Sequence, residues 1–332
     1  MRNEFSRWLG DNGARDFNMA SKAGWFDFCK SGPRPAPPVV TAESYAQLNK
    51  EERHDYEKVR AVWNANPPPM RTAQLNHAFD ILDQVMASNH RDSNRLRGSA
   101  VIDAAPALGK TTIATHYARN FHLDNLEEYG NQTVDGSQRI PVAFIPLESS
   151  VTLKSLNQKI LSFYGHPAVH KATTSGLAAL AVDCVRTCQT RLIVIDDLHF
   201  VDFRRQRGQE VSNHLKGLAN EMPATFIYVG VNLRSKRFFD EGLLGEDAAY
   251  AQTSRRATRV PVSPFTNLTT DGMRAWCDLL GVFGDHILLL KKKPHMLVQL
   301  AKELFIRTQG NIGSLTEYSE VWEPPNIASG GQ

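Results

Sequence analysis

The run AAPALGKTT, Ala104–Thr112, places a glycine, a lysine and a hydroxyl side chain in immediate succession. Backbone amides approach a phosphate closely only where no side chain intervenes. A lysine beside them reaches the terminal phosphates of a nucleoside triphosphate, and a hydroxyl can sit on Mg2+. Gly109, Lys110 and Thr111 fill those three roles, with Ala104, Ala105, Pro106, Ala107, Leu108 and Thr112 completing the loop. One position departs from the GxxxxGK[ST] pattern: Ala104 stands where the first glycine belongs. Alanine tolerates positive φ poorly, which counts against phosphate affinity.

Some eighty residues later comes LIVIDDLHF, Leu192–Phe200. Apolar residues ending in acid describe a buried strand that delivers carboxylates to the edge of a sheet where ligands of such folds bind. Asp196 would hold Mg2+ through water, and Asp197 would polarise the attacking water. Asn232, after the run TFIYVGV, either contacts the γ-phosphate or the water as a sensor, or simply closes a turn. Arg255 and Arg256 precede the run TRVPV, where an arginine could reach a neighbouring subunit's γ-phosphate or lie on the surface. His199 has no metal-ligand company in the sequence and reads as structural.

These residues need a scaffold, and the rhythm of the chain supplies one. Strands are expected at SAVID (99–103), VAFIPL (142–147), RLIVID (191–196), TFIYVG (225–230) and TRVPV (258–262). Helical patterns separate them near 110–122, 152–164, 175–189 and 207–221. Short apolar strands alternating with helices imply an α/β fold whose parallel sheet is covered on both faces. Before the strands, Asn49 and Glu52 have the spacing of a helix N-cap and its capping-box partner, and the run NPPP stops that helix. A second helix carries Leu75, Phe79, Leu82 and Met86, and after Phe265 the pattern is helical only, at about 270–290 and 294–309. The expected organisation is an extended, poorly ordered segment 1–40, a helical extension 41–97, an α/β nucleotide-binding core 98–265, a helical lid 266–318 and a flexible tail 319–332.

Composition excludes more than it assigns. The 332 residues carry 38 Lys+Arg against 35 Asp+Glu, too near balance to indicate nucleic-acid binding by charge alone. Four cysteines cannot form a disulfide scaffold, and no CxxC or Cys/His pair completes a zinc site. The start MRNEFSRWLGDNG has acids and glycine where a signal peptide needs an apolar core, and no run suffices for a membrane span. A cytoplasmic protein without membrane attachment is expected.

The ordered set of AAPALGKTT, LIVIDDLHF, a polar residue after the fourth strand and an arginine pair before the fifth resembles an AAA+ ATPase. The flanks ESYAQLNKEERHDYEKVRAVW, PLESSVTLKSLNQKILSFYG and RTQGNIGSL resemble the TniB/TnsC family of transposition regulators, over about residues 43–316. That resemblance implies a P-loop NTPase core with an N-terminal helical extension and a small C-terminal lid, ATP and Mg2+ as ligands, and slow, DNA-stimulated hydrolysis at subunit interfaces. It also implies a homo-oligomeric ring or filament on double-stranded DNA that recruits or activates a DDE transposase. For DNA contact it points to Lys154, in the loop opening the second helix; Arg204, Arg205 and Arg207 form a second basic cluster. Asp197 replaces the family's usual glutamate and sets its carboxylate one methylene farther back. A helicase-loader-like or signalling ATPase, or a nucleotide-binding scaffold with little hydrolysis, remain alternatives.

Overall fold

The structure of the chain is a computed structural model describing residues 3–92, 97–149, 151–236, 238 and 257–320. It divides into two compact units. One comprises Phe17–Ser31 and Gln74–Ser263; the other comprises Met1–Asp16, Gly32–Ala73 and Pro264–Gln332.

The first unit is built on five parallel strands, β1 (Ser99–Asp103), β2 (Val142–Pro146), β3 (Leu192–Asp196), β4 (Thr225–Gly230) and β5 (Ala257–Val260), in the order β2-β3-β4-β1-β5. Every residue of β3 and β4 is buried. That burial is why these strands read as unbroken apolar runs instead of alternating ones. Each expected strand lies within about one or two residues of its predicted bounds. The register sets the functional edge: Asp103 pairs with Gly230, Pro146 with Asp196, and Ile195 with Tyr228, so the ends of β1, β2, β3 and β4 fall within one residue of one another.

Helices α1 (Glu4–Asn12), α2 (Lys22–Lys30), α3 (Ala42–Gln47), α4 (Lys50–Asn64) and α5 (Ala73–Met86) precede the sheet. Within it come α6 (Lys110–Tyr129), α7 (Leu153–Tyr164), α8 (Thr174–Thr187) and α9 (Gln206–Glu221). Each begins near its expected residue, and α6 runs about two turns longer than its apolar period because no Gly or Pro interrupts it before the Gly130 cap.

Two findings correct the expectation for residues 1–40, which contain helices α1 and α2 where an extended, poorly ordered segment was predicted. Both are only nine residues long, too short to show a clear helical period, but each is capped. Asn3 accepts from the Ser6 amide at 2.8 Å, and Ser21 accepts from the Gly24 amide at 3.2 Å. Each also buries an aromatic residue with a second apolar one, Phe5 with Trp8 and Trp25 with Cys29. In the first unit, Trp25 stacks on Phe144 of β2 with centroids 5.7 Å apart, so α2 belongs to the sheet's core.

The second unit holds α1, α3 and α4 together with the C-terminal helices α10 (Thr270–His286), α11 (Met296–Gln299), α12 (Ala301–Thr308) and α13 (Ile312–Glu320). The capping box predicted at Asn49 and Glu52 is present, with reciprocal bonds of 3.0 Å. Trp63 and His286 tie α4 to α10: the indole donates to the His286 carbonyl at 2.6 Å, and the two rings stack at 4.5 Å. The expected helix at 294–309 is broken in two, α11 and α12. Among the described residues no helix is long and apolar enough to cross a membrane.

Candidate nucleotide site at the carboxyl edge of the sheet

The phosphate loop connects β1 to α6. Gly109 caps α6 with φ 78, a left-handed conformation that glycine adopts without steric cost. Left-handed backbone also occurs at Ala107, with φ 60, but not at Ala104. The strain expected from the missing first glycine is therefore absent at Ala104. Its amide instead points at the Gly230 carbonyl, 3.4 Å away, continuing the β1–β4 ladder. The strained alanine of the loop is Ala107.

Lys110 is 9% exposed, and its Nζ donates to the Ala105 carbonyl at 2.6 Å, within the loop that would receive the phosphates. Burial pulls its ammonium below the usual lysine range, while the carboxylates of Asp103, Asp196 and Asp197 oppose that shift. The acids predicted from LIVIDDLHF thus stand close enough to act on the loop lysine.

Asp196 is 4% exposed, and burial raises its carboxyl to about 6 despite hydrogen bonding from the Asp197 amide, at 2.8 Å, and from the Thr111 side chain. Thr111 and Asp196, 85 positions apart, thereby meet at one point. A hydroxyl and a carboxylate are hard oxygen donors, and a buried carboxylate with a raised pKa is a group a divalent cation would neutralise. The pair fits Mg2+. Among the described residues no group of three His, Cys, Asp or Glu side chains could hold a metal.

Asp197 has φ 57, and its side chain is 44% exposed, turned out of the buried position that Asp196 occupies. His199 lies beside it, with Nδ1 3.7 Å from Asp197 Oδ1 and no hydrogen-bond partner of its own. Burial lowers the His199 imidazole, against the pull of Asp197. Asn232 follows β4 in a left-handed conformation, φ 55, and is exposed in the turn between the ends of the sheet's central strands. Arg255 and Arg256 lie outside the described residues.

Of the basic candidates, Lys154 is exposed in the first turn of α7. Arg204 and Arg205 are also exposed but are not free. Arg204 binds Asp202 through two nitrogens, at 2.9 and 3.2 Å, and Arg205 approaches the same carboxylate at 3.4 Å. The hydrogen bond from Arg204 pulls the Asp202 carboxyl down to about 2. Arg207 is exposed at the start of α9.

Sequence reasoning passed over one residue of this edge, Asp103. An acid closing an apolar strand immediately before the phosphate loop was a visible signal. Its partners, two backbone amides after β4, were not.

A phosphate loop with a buried lysine, facing a strand that ends in paired acids on a β2-β3-β4-β1-β5 parallel sheet, defines a P-loop ATPase fold of the AAA+ class. Residues 60–238, more than half of the chain, match the family of bacterial TniB proteins, and the chain belongs to that family. Its fold is similar to that of the Orc1 protein of Aeropyrum pernix in complex with DNA, with a TM-score of 0.53, 16% identity, and coverage of 78% of this chain and 62% of that one. It is also similar to Cdc6p from Pyrobaculum aerophilum, with a TM-score of 0.51, 14% identity, and coverage of 77% and 62%. The chain thus spans less than two thirds of the length of either structure. No curated protein matches it.

Proposed function

We propose that this chain is an ATP-dependent regulator of DNA transposition. In this reading it binds ATP with Mg2+, assembles as a homo-oligomer on double-stranded DNA, and recruits or activates a DDE transposase. The observation that carries the nucleotide chemistry is the convergence of Lys110, Thr111 and Asp196 at one strand edge. TniB family membership supports the transposition role.

The residues divide the work as follows. Lys110 exchanges the Ala105 carbonyl for the β- and γ-phosphates, and the amides after Gly109 face the phosphate oxygens at the start of α6. Thr111 and Asp196 would hold Mg2+, and the ion would supply positive charge against the negative charge that develops on the phosphates. Asp197 orients the attacking water and accepts its proton, and Asn232 holds the water or the γ-phosphate in line. Arg255 or Arg256 reaches the γ-phosphate bound by a neighbouring subunit, which makes hydrolysis depend on assembly. Lys154 and the Arg204–Arg207 cluster meet the DNA backbone, a contact that gives affinity without base readout.

Electron microscopy of the protein with duplex DNA and a slowly hydrolysed ATP analogue tests the reading. Ordered assemblies are expected with the wild type and none with Lys110→Ala. Equal assembly by both would overturn it. Phosphate release measured with and without duplex DNA separates an active ATPase from a scaffold that only binds nucleotide. Arg256→Ala is expected to lose hydrolysis while each monomer still binds ATP.

A further inference from the structure

We infer that Asp103 is a positioning residue for hydrolysis, acting by fixing the turn that carries Asn232; the inference rests on the ATPase reading of the site. Asp103 is the last residue of β1 and directly precedes the phosphate loop. Its Oδ1 accepts from the Leu233 amide at 3.0 Å, and its Oδ2 accepts from the Arg234 amide at 3.0 Å. One carboxylate therefore grips two successive amides of a segment 130 positions away. With both oxygens engaged by backbone, Asp103 is poorly placed to act as a base or a metal ligand. It serves as a clamp.

The rest of the turn is built to be held. A Cβ on Gly230 would lie 2.7 Å from Leu233 Cδ2 and 3.1 Å from the His199 amide nitrogen, so glycine lets Leu233 fold back over the strand end. Leu233 is fully buried there. Asn232 itself adopts φ 55, a conformation a non-glycine residue keeps only when its surroundings enforce it. The Asn232 carbonyl accepts from the Lys236 amide at 3.1 Å and from Ser235 Oγ at 2.9 Å, and Lys236 Nζ donates to the His199 carbonyl. The turn is thus tied to the end of β1 through Asp103 and to the residues after the paired acids through Lys236. Because Ala104 follows Asp103 directly, the start of the phosphate loop and the mount of Asn232 share one anchor.

Small displacements of a group that positions reactants cost rate much more than affinity, on the order of a hundredfold for about 1 Å. Removing the clamp should therefore leave nucleotide binding nearly intact and depress turnover. The test uses the full chain with duplex DNA and compares wild type, Asp103→Asn, Asn232→Ala and the double variant. A fluorescent ATP analogue reports affinity and phosphate release reports kcat. Asp103→Asn keeps the shape but offers one oxygen in place of two. It is expected to lower kcat about 10- to 100-fold with affinity within about threefold. If Asp103 acts through Asn232, the double variant should be no more than about threefold slower than Asn232→Ala alone, because residues acting as one unit are not additive.

Asp103→Glu keeps both oxygens and the charge, so it guards against a folding defect in the asparagine variant; partial recovery of kcat is expected. Wild-type turnover in Asp103→Asn would overturn the inference. So would a loss that multiplies with that of Asn232→Ala, or a fall in nucleotide affinity as large as the fall in kcat. A wild type that binds nucleotide but releases no phosphate would instead overturn the ATPase reading itself, and the inference with it.

Discussion

Nε1 of Trp25 donates a hydrogen bond to Nδ1 of His122 across 3.2 Å, in the buried core and 97 positions apart in sequence. The bond fixes α2 to α6, and the indole lies nearly parallel to the Phe144 ring of β2, at 5°. A segment N-terminal to the family-matched region is therefore part of the ATPase core. Trp25→Ala would empty a fully buried aromatic site and strand the His122 acceptor. Loss of about 3–5 kcal/mol of stability is expected, read as a lower urea midpoint at unchanged slope. A loss below about 1 kcal/mol would mean that α2 is peripheral to the core.

The same contact predicts a pH dependence. Burial depresses the His122 imidazole from 6.5 to about 4. The unfolded chain takes up the proton near pH 6.5 and the folded chain only near pH 4, so the contribution is complete above pH 6.5 and is lost as pH falls towards 4. The full loss is roughly 3–3.5 kcal/mol. His122→Gln keeps an acceptor for the indole but cannot titrate there. Its stability should therefore fall less steeply than the wild type's between pH 6.5 and 4 in parallel denaturant titrations. Parallel pH profiles would show that His122 does not carry the effect.

What could be read from the sequence followed the range of each signal. β3 and β4 announced themselves as apolar runs because both faces of a parallel strand are covered, and the phosphate loop did so because its roles fall on consecutive residues. The meeting of Thr111 with Asp196 depends on the order of the strands in the sheet, which the apolar runs alone do not specify. The Asp103 clamp was hidden because backbone amides at Leu233 and Arg234 carry no side-chain signature. Helices α1 and α2 were hidden because nine residues hold too little apolar period to register. Arg204 and Arg205 looked like a free basic cluster because proximity of Asp202 in sequence does not reveal a two-pronged ion pair.

Ala104 illustrates a misplaced expectation with a direct test. Left-handed backbone falls at Ala107 and Gly109, not at Ala104. Restoring the consensus with Ala104→Gly is therefore expected to leave nucleotide affinity within about twofold, a difference of roughly 0.4 kcal/mol. Ala107 carries the left-handed cost, so Ala107→Val, whose branched Cβ fits that region worse, should weaken binding more than Ala104→Val does. Titration with a fluorescent ATP analogue ranks the three. A large gain from Ala104→Gly would mean that the first loop position limits phosphate binding after all.

In the proposed Mg2+ site, Asp196 would link nucleotide binding to pH. Its carboxyl is raised to about 6, so below that value the group is protonated and must release a proton to engage Mg2+. The apparent affinity for Mg2+ with ATP is expected to fall as pH drops from 7 to 5, by up to about tenfold per pH unit below 6. Asp196→Asn should bind more weakly and lose that pH dependence. Isothermal titration at three pH values checks both, and an unchanged slope in Asp196→Asn would place the titrating group elsewhere.

Asp202 restrains the basic cluster that the proposed function assigns to DNA. An exposed ion pair is weak, so a phosphate can compete for Arg204 and Arg205 at a small cost in affinity. Asp202→Asn removes the competitor. Duplex DNA binding in the presence of ATP is expected to tighten about two- to fivefold, and the slope of log affinity against log salt to steepen by about one for each arginine released. Lys154→Ala and Arg207→Ala should act the other way, weakening binding to all sequences alike and flattening the slope by about one each. Fluorescence anisotropy at several salt concentrations distinguishes these outcomes. If Asp202→Asn leaves both affinity and slope unchanged while Lys154→Ala flattens the slope, the DNA runs along α7 and the arginine cluster faces elsewhere.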